Sequence, residues 1–168
     1  MSKNAVVPTS KVGICSSELL TCRVGDQWLG LPVRHVREVV TPMQYTDMPL
    51  SADAVMGLIN LRGRVITQLD VRRVIGLPPR TGSYYRVAIV ETVSGEDFGL
   101  VMDAVGEVIE LNPEHYEKTP KTLARVWQMV SDGVLKRDDH VLVLVDVERF
   151  ITLTIADQQM QEIPALLN

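Results

Sequence analysis

The chain has 168 residues and an acidic balance, with a net charge of −4 and a pI near 5.4. That balance provides no basic face for nucleic acid, and eight aromatic residues are few for a surface that stacks bases. Hydrophobic residues make up 46%, as in soluble globular proteins, and no apolar run approaches the roughly 20 residues of a membrane helix. The length therefore fits one sizeable domain, or two very small ones that share a core.

The N-terminal segment, residues 1–17, is polar and small in composition, which predicts a mobile tail. It lacks the continuous apolar core of a signal peptide. Both cysteines, Cys15 and Cys22, lie near this end without the CxxC spacing of a zinc or redox site. A reduced, cytoplasmic protein is the simplest prediction.

The first part of the chain predicts short strands joined by tight turns. Strands are predicted over residues 19–24 and 27–31, on either side of Gly25-Asp26. Valines at three- and four-residue steps over 33–40, between two prolines, predict a short helix. A further strand is predicted over 43–48.

A strand, a tight turn and a second strand are predicted over residues 56–70, with Arg62-Gly63 at the turn. An arginine beside a glycine that permits positive φ is held at a defined place and faces outward. Two interpretations fit equally well: a presented contact residue, or a surface arginine selected for solubility. A short helix over 71–76 and a linker over 78–83 follow.

The second part of the chain continues with β-rich runs over 85–93 and 98–102. The apolar residues Val105, Val108, Ile109 and Leu111 follow, and then a polar loop over 112–124. A second strand–turn–strand is predicted, with strands over 127–135 and 140–147. Residues 147–168 predict a C-terminal helix that frays into a tail. Short strands with frequent turns and only brief helices favour an all-β fold of small barrels over a parallel sheet.

An internal repeat runs through the chain. Gly30, Val36 and Glu38 recur 69 positions later as Gly99, Val105 and Glu107, and Gly57, Asp70 and Arg73 recur 76 positions later as Gly133, Asp146 and Arg149. The repeat predicts two similar small barrels packed around one core, since each half alone is too short for a comfortable independent core. We predict one domain over 18–152, with subdomains of about 18–82 and 83–147.

Sequence motifs for catalysis are absent. The histidines, His35, His115 and His140, are widely separated and predicted to lie on the surface, and no metal-binding, nucleophile or phosphate-loop motif occurs. Asp70 and Asp146 are predicted to cap short helices. We therefore predict no catalytic residue, cofactor or metal. The alternative to an interaction protein is a small-ligand-binding barrel, although scarce aromatics count against it.

Three stretches carry a resemblance: Val36 to Val39, Gly57 to Gly63, and Leu69 to Arg72. With Gly99 to Asp103 in the second half, they resemble the CheW family of bacterial chemotaxis coupling proteins, from about residue 19 to residue 151. The resemblance implies two five-stranded Src-homology-like barrels around a common core, with no enzymatic activity. It also implies an adaptor between chemoreceptor cytoplasmic tips and the regulatory domain of a CheA-type histidine kinase, in membrane-associated arrays that serve either flagella or pili.

The resemblance implies two sets of contact residues. Those for the kinase are Glu38, on the predicted helix, and Asn60, Leu61, Arg62 and Gly63 at the turn, and in relatives the glutamate and arginine can pair. Those for an apolar receptor groove are Val33, Val36, Val101 and Met102, for which plain core packing is the alternative. Met102, Trp127 and Leu135 stand where smaller residues are expected.

Overall fold

The computed structural model describes residues 18–49, 51 and 53–156, and its secondary structure is mostly β. The strands are β1 (Glu18–Val24), β2 (Gln27–Pro32), β3 (Val36–Val40), β4 (Val55–Leu61), β5 (Arg64–Asp70), β6 (Arg86–Glu91), β7 (Asp97–Met102), β8 (Ala104–Glu110), β9 (Tyr116–Glu117), β10 (Ser131–Lys136) and β11 (Val141–Val145). The helices are α1 (Val71–Val74), α2 (Arg125–Val130) and α3, which is helical over 147–156, with 3-10 turns at Val33–His35 and Pro113–His115.

The strands form two sheets. Sheet A has six strands in the order β8-β1-β2-β11-β10-β9, and sheet B has five in the order β3-β6-β7-β5-β4. Neighbours are antiparallel except for β2 with β11 and β5 with β7. Each sheet takes strands from both halves of the chain, so the predicted division near residue 82 does not separate one sheet from the other.

The register of the strands reproduces the sequence repeat. In sheet A, Gly30 pairs with Leu144 across the parallel junction, and in sheet B, Gly99 pairs with Gln68. These pairs are related by the offsets of 69 and 76 positions found in the sequence. The predicted duplication is confirmed: the five strands of sheet B correspond in order to five strands of sheet A, and β9 of sheet A has only the Thr46 bridge as its counterpart.

Two glycines show why even the irregularities are repeated. Gly57 and Gly133 have φ values of +148° and +122°, and each sits at a bulge in an equivalent hairpin. A Cβ atom would lie 2.6 Å from the Thr46 carbonyl oxygen at the first and 2.7 Å from that of Glu117 at the second. Glycine is therefore required at both positions, because a backbone segment passes against the hairpin there.

Three predicted elements are wrong. The valine repeat over 33–40 forms a 3-10 turn followed by β3, because a bulge between Val36 and Glu38 interrupts the two-residue alternation and imitates helical spacing. The strand predicted over 43–48 is a single bridge from Thr46 to Leu58. The strand predicted over 127–135 begins as α2 and becomes β10 only at Ser131.

Other predicted elements are confirmed. The helix after β5 is present as α1, and α3 begins at residue 147 as expected. The remainder of the predicted C-terminal helix and the predicted tail over 1–17 lie outside the described residues.

The core has three parts. The largest cluster lies between the sheets and includes Met102, Trp127 and Phe150, whereas Leu135 lies in the sheet A cluster and Val101 in the sheet B cluster. Burying each such side chain stabilises the fold by roughly 1.5–3 kcal/mol. The structure has sheets of six and five strands, and among the described residues no ladder joins the two edges of either sheet, so closure of the predicted five-stranded barrels is not supported. None of the described helices combines the length and apolar character that a bilayer crossing needs.

Candidate functional site

The hairpin tip between β4 and β5 has a strained and well-defined backbone. Arg62 and Gly63 have φ values of +52° and +86°, as in a type I′ turn, and Leu61 pairs with Arg64 beneath them. The Asn60 side-chain oxygen accepts a hydrogen bond from the Gly63 amide at 2.9 Å. Asn60, Arg62 and Gly63 are exposed and Leu61 is half-buried, so the turn presents Arg62 outward, as predicted.

Arg62 forms a two-pronged ion pair with Glu38. Its Nη2 and Nη1 atoms lie 2.6 and 3.1 Å from the two carboxylate oxygens of Glu38. Glu38 lies on the edge strand β3, not on a helix, while Arg62 lies on the hairpin at the opposite edge of sheet B. The pair therefore links the two open edges of the sheet. Because the Arg62 side chain is 63% exposed, the pair contributes at most about 1 kcal/mol to stability and mainly orients the arginine.

More charges surround the tip. Asp97, whose side chain is only 3% exposed, lies 3.2 Å from Arg37 Nε and 2.6 Å from Arg64 Nη2. Arg37 also pairs with Glu91 at 2.6 Å, and the hydrogen bond to Glu91, with the charges of Glu91 and Asp97, raises the pKa of Arg37. The sequence interpretation missed this network, since its members are far apart in the chain and no motif links them.

An exposed apolar side chain and a cleft adjoin the network. Val65, next to Arg64, is 68% exposed. A cleft of about 240 Å³ is lined by residues 64–67 and 95–98, which include Asp97. A polar rim around an exposed valine is a composition found in protein–protein interfaces.

The equivalent end of sheet A repeats the link but not the turn. Asp138 occupies the position of Arg62, yet Arg137, one residue earlier, reaches Glu107 on the edge strand β8 at 3.6 Å. The positions of Asp97 and Arg64 are taken by Trp28 and His140, whose rings stack with centroids 4.6 Å apart. The two ends thus share an edge-to-edge ion pair and differ in the surface beside it.

The predicted groove residues fall into two groups. Val33 and Val36 are half-buried at the rim of the shared core, where half-buried residues of α3, Leu153 and Ile155, also pack. Val101 and Met102 are 0% and 1% exposed, which places them inside the molecule. Of the four predicted groove residues, Val33 and Val36 are the two that offer apolar surface to a partner in this conformation.

A second charge network joins the linker to the strand ends. Arg80 binds Asp70 through two hydrogen bonds of 3.0 and 3.1 Å and reaches Asp103 at 3.2 Å, while Arg72 lies 2.6 Å from Asp103. Burial alone would raise the pKa of Asp103, but the Gly25 amide and the two arginines outweigh it, and the pKa is lowered. This network fixes the linker and extends the predicted capping role of Asp70, which also accepts from the Arg72 amide.

The remaining candidates for chemistry are structural. Burial raises the pKa of Cys22 to about 12, so its thiol stays protonated. Asp146 caps α3 through the Arg149 amide, as predicted, whereas His35 is buried and not on the surface. Within the described part of the chain, no group of three or more His, Cys, Asp or Glu side chains is placed to hold a metal ion.

Comparison with known proteins identifies similar chains. A family model described as "CheW-like domain" matches residues 18–154. The probable chemotaxis protein CheW of Rhizobium etli is 30% identical over 137 residues, covering 82% of this chain and 88% of that protein. The chemotaxis protein CheW of Rhizobium meliloti is 30% identical over 131 residues, covering 78% and 84% respectively.

A solved structure is also similar. The crystal structure of scaffolding protein TtCheW from Thermoanaerobacter tengcongensis superposes with a TM-score of 0.68 at 27% sequence identity. The match covers 77% of this chain and 88% of that one.

Proposed function

The chain belongs to the CheW-like domain family, and from that premise we propose that it is a non-enzymatic chemotaxis adaptor. It couples the cytoplasmic tips of chemoreceptors to the regulatory domain of a CheA-type histidine kinase. The observation that carries this proposal is the exposed Arg62 at a strained turn tip, held by Glu38 across the edges of sheet B. A backbone strained in this way persists only where the surroundings hold it, and such strain clusters at functional sites.

The kinase regulatory domain contacts the end of sheet B. Glu38, Asn60, Leu61, Arg62 and Gly63 form the contact, and Asn60 and Gly63 act by shaping the turn. Arg62 is oriented before binding, so little conformational freedom is lost when a partner replaces or joins its pairing with Glu38. The neighbouring Val65 adds apolar area next to the charged residues.

The receptor contacts the rim of the shared core at Val33 and Val36. Both side chains are half-buried: one part of each packs against the core, and the other part presents apolar surface. A helix that lays an apolar face along such a rim uses a known mode of recognition. Met102 is buried in the core cluster against which both valines pack, whereas Val101 is buried in the sheet B cluster.

The protein acts by holding the kinase regulatory domain and the receptor at two separate surfaces in a fixed geometry. The protein works in the cytoplasm and is recruited to receptor arrays at the membrane, where individually modest contacts gain from multivalency. Calorimetric titration against an isolated kinase regulatory domain, and separately against a receptor-tip fragment, tests the proposal. Binding to both, without mutual exclusion, is expected, and binding to neither overturns it.

A further inference from the structure

The second half of the chain has a longer connection into its hairpin than the first half has. Thr46 and Glu117 occupy equivalent places, because each brings its carbonyl oxygen against the hairpin glycine, Gly57 in the first half and Gly133 in the second. Gly133 follows Glu117 by 16 positions, whereas Gly57 follows Thr46 by 11. The first half builds the equivalent hairpin with the shorter connection, so the fold does not require the additional residues, which form a loop and α2.

Three exposed cations lie on the longer connection: Lys118, Lys121 and Arg125. Among the described residues no carboxylate pairs with any of them. Every other described lysine or arginine except Arg34 pairs with a carboxylate or lies over an aromatic ring. The shorter connection, residues 47–56, contains two aspartates and no lysine or arginine. The positive charge therefore belongs to the second half alone.

The loop that carries these cations is held in place. The hydroxyl oxygens of Thr119 and Ser131 lie 2.6 Å apart. The Gln128 side-chain nitrogen donates to the carbonyl oxygens of Lys121 and Leu123 at 3.0 and 2.7 Å. The Leu123 side chain also packs against the core. Because the backbone is fixed by these contacts, little conformational freedom is lost when a partner binds the cations.

An exposed apolar side chain accompanies the positive charge. Met129 is 43% exposed and follows Arg125 by four residues in α2, so the two side chains lie on the same face of the helix. Trp127 and Val130 are buried and attach the helix to the core. Methionine adapts its shape to a partner more readily than branched side chains do. This face of the molecule thus combines cations with an adaptable apolar contact.

The amount of charge selects the class of partner. Anionic membranes are recognised by clusters of about four to eight basic residues, and DNA-binding proteins make about six to ten phosphate contacts. Three cations, with the exposed Glu114 and Glu117 just before them, fall short of both. A few fixed cations beside an exposed methionine suit a short acidic segment of a protein instead.

We propose that Lys118, Lys121, Arg125 and Met129 form a basic surface that binds an acidic segment of a partner protein. Carboxylates of that segment pair with the three cations, and an apolar side chain of the segment covers Met129. The basic surface shares no residue with the proposed kinase and receptor contacts, so it adds a third place at which the protein binds a partner.

A peptide titration tests the basic surface in the full chain without the kinase or the receptor. The probe is a short capped peptide of glutamates around a central leucine, and the same peptide with glutamines is the uncharged control. Saturable shifts of the backbone amide signals of residues 118–130 are expected with the glutamate peptide. Lys121→Glu and Arg125→Glu should each weaken binding about fivefold, whereas Arg34→Glu, at the other unpaired cation, should not. Absence of shifts, equal binding of the glutamine peptide, or an equal loss in Arg34→Glu overturns the proposal.

Two further measurements test the fixed loop and the class of partner. Gln128→Ala keeps every charge and releases the loop, so it should bind the glutamate peptide about threefold more weakly. Unchanged binding would mean that charge alone is sufficient, which contradicts the proposal. Binding of phosphatidylserine vesicles or of duplex DNA that Lys121→Glu and Arg125→Glu abolish would assign the surface to lipid or nucleic acid instead. Because no kinase or receptor fragment is present, failure here leaves the proposed function as it stands.

Discussion

The end of sheet B that carries Arg62 and the end of sheet A that carries Arg137 have the same backbone and different surfaces. Both link their sheet edges by an arginine–glutamate pair, at 2.6 Å in the first and 3.6 Å in the second. Beside the pair, one end has the charged residues Arg64 and Asp97 and the other has stacked Trp28 and His140. The two halves thus share the backbone and the ion pair that links the sheet edges. The side chains beside that pair differ, so the two ends can recognise different partners.

The two ends also differ in the sequence of their turns. The turn Asn60 to Gly63 reads unlike residues 136–139, yet the ion pair between the edges is common to both. The structure shows the edge link in both, with the second arginine shifted by one residue. What distinguishes the first end is the strained φ of +52° at Arg62 and the greater exposure of Val65, at 68% against 39% for its equivalent Val141.

The largest expected effect tests whether the two halves are equivalent in backbone. Gly57→Ala and Gly133→Ala should each destabilise the fold by about 2–4 kcal/mol, because an L side chain at positive φ would also meet a backbone carbonyl. Gly63→Ala, at φ +86° with no atom within 4 Å, is the matched control and should cost less. Urea denaturation measures all three. A loss confined to one half would break the equivalence.

Next in size is the receptor contact. Val36→Lys should weaken binding of a receptor-tip fragment by about thirtyfold or more, because it places a charge on an apolar rim, and should leave kinase binding unchanged. Val105→Lys, at the equivalent half-buried position 69 residues later, is the control. Calorimetry gives the affinities. Loss of folding in Val36→Lys but not in Val105→Lys would assign Val36 to the core instead.

A smaller effect is expected at the hairpin tip. Arg62→Glu should reduce affinity for the kinase regulatory domain by about tenfold while lowering the melting temperature by only a few degrees, because it reverses an oriented charge and replaces a weak exposed ion pair with repulsion from Glu38. Arg137→Glu makes the same change at the other end. Equal losses from both variants would show that the ends are not distinguished by that partner.

Smaller still is a difference inside the two sheets. Gln68 is fully buried and neither atom of its carboxamide has a hydrogen-bond partner among the described residues, whereas its equivalent is Leu144. Gln68→Leu should stabilise the fold by about 1 kcal/mol, and Leu144→Gln should destabilise it. Thermal and urea unfolding measure both. A destabilised Gln68→Leu would show that the amide is satisfied by bound water.

The smallest expected effect concerns the pH dependence of stability, and its sign differs between the carboxylates of Asp103 and Asp132. Asp103 has a lowered pKa, so its contribution is present above its unfolded value of 3.8 and is lost as the pH falls through the folded value. Asp132 has a raised pKa, so the fold loses stability as the pH rises from 3.8 through the raised value. Asp103→Asn should reduce the fall in the free energy of unfolding at low pH. Asp132→Asn should remove the loss of stability that occurs as the pH rises. Free energies of unfolding from urea denaturation across pH 2–7 test this, since one proton of difference between the folded and unfolded states changes stability by about 1.4 kcal/mol per pH unit.

Much of the architecture could be predicted because it depends on local patterns. Nearby residues determine the turn at Arg62-Gly63 and the cap at Asp70, and the repeat is visible as fixed offsets between matching residues. The helix wrongly predicted over 33–40 shows the limit: a bulge alters spacing without altering composition. Only three-dimensional structure could reveal it.

Features that depend on distant contacts could not be predicted. Arg80 finds Asp70 and Asp103 at separations of 10 and 23 residues, and no periodicity predicts such pairs. Val101 and Met102 are apolar like Val33 and Val36, so the sequence could not tell core from accessible rim. His35 was wrongly predicted to lie on the surface, because a lone histidine in a short turn carries no signal of burial.

The exchange of strands between the halves gives this chain the geometry of a swapped homodimer whose two subunits have been joined head to tail. β1 and β2 complete a sheet begun by β8 to β11, and β6 and β7 complete one begun by β3 to β5. An ancestral single repeat with this geometry would have been a dimer, each copy lending a hairpin to the other. In the present chain β2 pairs with β11 across more than a hundred residues, so neither sheet can be completed on the ribosome until the second repeat has emerged.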